Sequence, residues 1–96
     1  MLPVERVEKA VRQWAKELDI SLTDTSFYSQ EDWAKRKERF GNQAEVSITT
    51  EGELNLILTY GTYPHARDSF YELIEKLGYW FELGYSWSIH LYKPEV

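Results

Sequence analysis

Residues 85–92 read Tyr85-Ser86-Trp87-Ser88-Ile89-His90-Leu91-Tyr92. Successive strand residues point to opposite faces, so Tyr85, Trp87, Ile89 and Leu91 share one side while Ser86, Ser88, His90 and Tyr92 share the other. One apolar face and one polar face is the pattern of an antiparallel strand buried on a single side. Strands of a doubly covered parallel sheet would be apolar throughout. The alternation starts near Tyr79 and is interrupted at Leu83-Gly84. Residues 79–93 are therefore expected to form two strands joined by a tight turn, with one long bulged strand as the alternative.

The same period appears upstream. Val46 and Ile48 alternate with Ser47 and Thr49, and Leu54, Leu56, Leu58 and Tyr60 alternate with Asn55, Ile57 and Thr59. With a turn at Glu51-Gly52, residues 44–60 are expected to form a β-hairpin, closed by Gly61 and Pro64.

Three segments carry a helical period instead. Over 3–19, Val4, Val7, Val11, Trp14 and Leu18 recur at alternate spacings of three and four, placing all five on one stripe. Pro3 suits a first turn, where its missing N–H is not needed. Residues 64–77 put Ala66, Phe70, Leu73, Ile74 and Leu77 on one side, with Gly78 as a left-handed terminator. Between them, Ser29 reads as an N-cap for a short helix over about 30–40, stopped by Gly41-Asn42. Its apolar residues are only Trp33, Ala34 and Phe40. So short a helix is marginal in water, so these must dock on something. Residues 20–29, rich in hydroxyls, read as a loop holding a short extended piece.

The sum is α-α-β-β-α-β-β, an α+β two-layer sandwich: a mainly antiparallel sheet of three or four strands, helices packed on one face, the polar face left to water. At 96 residues the chain fits one domain spanning 1–96. It has no cysteine, which removes disulfides, a thiol nucleophile and the usual structural zinc cages. No apolar run reaches the ~18 residues of a membrane span. The opening Met1-Leu2-Pro3-Val4-Glu5-Arg6 lacks the apolar stretch of a signal peptide. A cytoplasmic protein without a membrane partner is expected.

The net charge is −5, and it lies entirely in residues 41–96, where Arg67, Lys76 and Lys93 face eight acidic groups. Duplex binders concentrate lysine and arginine to neutralise phosphates, so nucleic acid is an improbable partner. The one basic run, Lys35-Arg36-Lys37-Glu38-Arg39 between Trp33 and Phe40, is diluted by Glu31, Asp32 and Glu38 and reads as a solvated helix face.

Two groups of residues could hold a ligand. Tyr63, His65 and Arg67 stand at the start of the 64–77 helix, whose free N–H groups favour anions. On the polar sheet face, His90 and Tyr92 could bind a polar molecule or move a proton. No serine lies in a nucleophile elbow, no carboxylate is placed to orient His90, and His65 and His90 are too far apart in sequence for a metal motif. Catalytic residues, metal and cofactor are therefore all expected to be absent. The remaining signal is aromatic density between Tyr60 and Tyr92. A strand cannot turn the consecutive Tyr79, Trp80 and Phe81 all inward, and tyrosine and tryptophan favour interfaces. The expected partner surface is Tyr71, Glu72, Glu75, Tyr79, Trp80 and Glu82. The first functional expectation is thus a non-catalytic interaction or regulatory module that binds another protein or a second copy of itself, in its sharpest form an acidic inhibitor of the immunity or antitoxin type. The second is a small-ligand binder or enzyme built on His90, Tyr92, His65 and Arg67.

Overall fold

The computed structural model describes residues 2–60 and 63–94; Met1 and Gly61, the latter expected to close the 44–60 unit, lie outside them. The elements are α1 (Pro3–Glu17), β1 (Thr25–Ser29), α2 (Gln30–Ala34), β2 (Val46–Thr50), α3 (Glu53–Tyr60), α4 (Pro64–Lys76), β3 (Trp80–Leu83) and β4 (Ser88–Tyr92). The strands form one antiparallel sheet in the order β1-β2-β4-β3. This is the expected α+β class with a four-stranded sheet. Residues 79–93 do form two strands, β3 and β4. Among the described residues no helix is long and apolar enough to cross a membrane.

The register fixes both faces. Phe27, Ile48, Ile89 and Leu83 lie side by side across the sheet, as do Ser29, Val46, Leu91 and Phe81. On this side α1 lays down Val7, Val11 and Trp14, α3 Leu54, and α4 Phe70 and Ile74, all buried in one apolar cluster. Each such side chain contributes about 1.5–3 kcal/mol of burial. Trp14 meets Phe70 edge-on, and its indole N–H donates to Ser69 Oγ at 2.8 Å. Leu18, the last member of the predicted α1 stripe, is instead exposed beyond the helix end.

Capping at Ser29 and Gly78 follows the sequence, whereas α2 ends at Ala34, well before the expected stop at Gly41-Asn42. Ser29 Oγ accepts the Asp32 N–H at 3.1 Å and starts α2. Gly78 takes φ +93° after α4, as a helix-terminating glycine does.

Three expectations are corrected. First, the second half of the predicted hairpin is helix α3. Leu54 and Ile57 are three apart and point into the core, whereas Leu56, which a strand would have buried beside Leu54, is exposed. The leucines at 54, 56 and 58 satisfy a period of two, but Leu54, Ile57 and Leu58 also satisfy a helical stripe, and burial selected the latter. Second, the strand that pairs with β2 comes from the supposed loop: β1, centred on Phe27, whose ring packs on the core. Third, the polar face is not left to water. The three longer helices α1, α3 and α4 cover one face as expected, but α2 and the loop after it cross the other and bury its centre.

Candidate functional site

The covered face is organised around His90. Ser47 precedes it in register on β2 and Glu82 follows it on β3. The Ser47 hydroxyl lies 2.9 Å from Nδ1 and the Ser88 hydroxyl 2.9 Å from Nε2. Ser88 Oγ also accepts the Tyr85 N–H at 2.7 Å. A neutral imidazole has one donor and one acceptor nitrogen, and a hydroxyl can serve as either, so both ring nitrogens are satisfied in either tautomer.

Trp33 of α2 closes the site from above. Its ring meets the imidazole edge-on at 5.1 Å, and its indole N–H donates to the Phe40 carbonyl at 2.8 Å. Two glycines complete the seal. A Cβ on Gly41 or on Gly84 would fall inside the van der Waals envelope of the His90 ring, so the backbone reaches the imidazole only because both residues lack one. Gly41 also holds φ +83°, a conformation that side chains disfavour. His90 is 1% exposed, and burial lowers its pKa from the ordinary histidine value. No buried side-chain N or O lacks a hydrogen bond among the described residues.

The predicted ligand residues are divided by the sheet. Tyr92 shares the face of His90 but stands over β3, its ring stacked on Trp80 at 4.8 Å. Burial, and secondarily the Glu82 carboxylate, raise its pKa. Tyr63 and His65 belong to the helical side, where they line a cleft of about 530 Å³ with Leu18, Ile20, Glu53 and Ile57. Arg67 is not among the residues lining it and lies 4.0 Å from its neighbour Asp68. The structure brings His65 and Tyr63 together, and keeps both apart from His90.

The predicted partner residues mostly share one rim. Trp80 and Glu82 project from the outer face of β3; Tyr71 of α4 packs on Phe81 from the inner face with ring centroids 4.7 Å apart. Trp80, Tyr71 and the end residue Leu83 are about half exposed. Glu72 and Glu75 line a shallow groove with Lys76 on the next turn of α4. Glu72, Glu75 and Glu82 enter no ion pair among the described residues. Tyr79 is corrected: it is buried at 3%, its hydroxyl donating to Glu45 Oε1 at 2.9 Å with Arg6 over its ring. Of the consecutive aromatic trio, Trp80 is the one that faces solvent.

Residues that sequence reasoning missed are the seal, Gly41 and Gly84, and the rim residue Leu83. The sequence signal for the seal was the lone Trp33 in an otherwise polar helix, which required a docking surface. Among the described residues no three His, Asp or Glu side chains converge as a metal site would need. Comparison with protein-family models, with curated proteins and with solved structures finds no match for this chain.

Proposed function

We propose that this chain is a non-catalytic protein-interaction module, a regulatory or accessory protein whose partner meets the rim of β3. Its sharpest form is an acidic inhibitor that approaches a basic target, with charge accelerating the encounter. The observation that carries the reading is the Trp80–Tyr92 stack: two large aromatics held against each other, Trp80 half exposed, beside carboxylates that no cation engages among the described residues. Rigid aromatic anchors of this kind supply much contact area at little entropic cost. The group best suited to proton transfer, His90, is by contrast sealed and already hydrogen-bonded at both nitrogens, which weighs against the catalytic alternative.

The test uses a photo-crosslinking residue placed at Trp80 to recover partners, each then purified and titrated against wild type and Trp80→Ala. At least a tenfold loss of affinity is expected for one of them. Unchanged affinity for every recovered partner overturns the surface assignment.

A second reading keeps one observation in its favour. The cleft beside Tyr63 and His65 is large enough for a small molecule and mostly apolar in lining. A fragment screen by NMR that perturbs Ile20, Ile57 and His65 together would move the balance toward a ligand-binding protein.

A further inference from the structure

Resting on the interaction reading, the geometry points to the manner of docking: we propose that β3 accepts, as a fifth strand, an extended segment of a partner in which basic and apolar residues alternate. Among the described residues β3 is a terminal strand of the sheet, paired on one side only, with β4. The Gly84 N–H donates to the Ser88 carbonyl. Because hydrogen-bonded pairs alternate along an antiparallel ladder, Glu82 and Trp80 also turn their backbone groups toward β4, and Phe81 and Leu83 turn theirs away from it. Those outward groups are a template for another strand, and β3 has neither the proline nor the lysine that commonly guards an edge.

Side chains of an added strand would alternate between the two faces. On the outer face they would lie beside the Glu82 carboxylate and the Trp80 ring, which together suit a lysine or arginine through charge and cation–π attraction. On the inner face they would lie beside Leu83 and Tyr71, both half exposed, which suit an apolar residue. Glu72 and Glu75 extend the acidic field along α4 and outnumber Lys76. This charge decides the occupant. A second copy of the chain would bring the same three carboxylates to the same rim, where like charges repel, whereas a basic segment supplies the missing cations.

The probe is an acetylated pentapeptide of alternating lysine and valine, with a glutamate–valine counterpart, titrated into the full chain at low salt and followed through backbone amide shifts and exchange. The expected result is slowed exchange at Phe81 and Leu83, binding at least tenfold weaker for the acidic peptide, and at least tenfold weaker for Leu83→Pro, which deletes an outward N–H at an edge position that tolerates proline. Should Leu83→Pro unfold the chain, N-methylation of the peptide at alternate residues serves instead, with the same loss expected. Absence of binding, or binding that leaves Phe81 and Leu83 unperturbed, overturns strand addition but not the interaction reading, which stands or falls on Trp80→Ala with the recovered partner. Equal binding of both peptides overturns the basic occupant. So would a dimer in sedimentation that Leu83→Pro dissolves, since it would give the edge to a second copy.

Discussion

The imidazole of His90 and the hydroxyl of Ser47 meet 2.9 Å apart across the two central strands, and neither residue is more than 1% exposed. A polar pair at the middle of a sheet is stable there only while the ring is neutral, because the buried surroundings penalise its charged form. The groups nearest in register and packing are Glu82, Tyr28 and the Arg36 guanidinium over Trp33. The folded pKa lies below the unfolded value of about 6.5. Below that value the unfolded chain therefore binds more protons, and stability present above pH 6.5 falls as the pH drops. The slope from this one group is at most about 1.4 kcal/mol per pH unit. Urea unfolding at pH 7.5 and 5.5 checks it: the loss between the two should be larger for wild type than for His90→Asn, which has no proton to take up. Equal losses would show that His90 titrates alike in both states.

Gly41 and Gly78 separate two reasons for a glycine. Both hold positive φ, +83° and +93°, but a Cβ at Gly78 would meet nothing within 4 Å, whereas one at Gly41 would strike the His90 ring. Gly78→Ala is expected to lose about 1 kcal/mol from backbone strain alone. Gly41→Ala adds the steric term and should lose about 2–4 kcal/mol. The ring of His90 would have to leave its hydroxyl partners, so the loss in Gly41→Ala should be accompanied by faster amide exchange at Ser47 and Ser88. Chemical denaturation of both variants gives the comparison, and equal losses would mean that the loop, not the ring, gives way.

How much of this architecture could be read from the chain is clearest at residues 53–60. The strand period and the helix period both fit Leu54-Asn55-Leu56-Ile57-Leu58, and a short apolar run does not distinguish them. Tertiary packing against β2 and α4 did. Leu54→Ala and Ile57→Ala should each lose about 2–4 kcal/mol, while Leu56→Lys should stay within about 0.5 kcal/mol. The opposite ranking would restore the hairpin. Elements with a long, unambiguous stripe, α1 and α4, lie within a residue or two of where their patterns place them. The covered polar face was illegible for a different reason. Serine and histidine at outward strand positions carry the same pattern whether water or a tryptophan lies above them, and only the loop path from Lys35 to Ala44 decides which. Of the candidate partner residues, Trp80 and Tyr71 flank the same strand on its outer and inner faces because α4 packs on β3 through the Tyr71–Phe81 contact, whereas Tyr79 was lost to the core through a contact with Glu45 that lies 34 positions away.

Arg36 offers the last prediction. It belongs to the basic run read as a solvated helix face, but the run lies beyond the end of α2, and the Arg36 guanidinium lies 5.1, 5.0 and 5.7 Å from the ring centres of Tyr28, Trp33 and Trp87 and donates to the Tyr28 hydroxyl at 2.8 Å. A planar cation among three rings acts as packing as much as charge. Arg36→Ala should therefore cost about 1–2 kcal/mol, from cation–π contacts and a charged hydrogen bond. Lys35→Ala, whose ion pair with Asp32 at 3.6 Å is exposed, should cost less than about 0.5 kcal/mol. Arg36→Lys should recover little, since an ammonium cannot lie flat against the rings. Of the two rings that flank the run, Trp33 is wholly buried and cannot stack on a base, and Phe40, though exposed, is engaged edge-on by Tyr85 at 5.0 Å. A gel shift at low salt is accordingly expected to show no retention of single-stranded DNA, and a steeply salt-dependent shift removed by Arg36→Ala would assign these rings and this cation to a nucleic-acid surface instead.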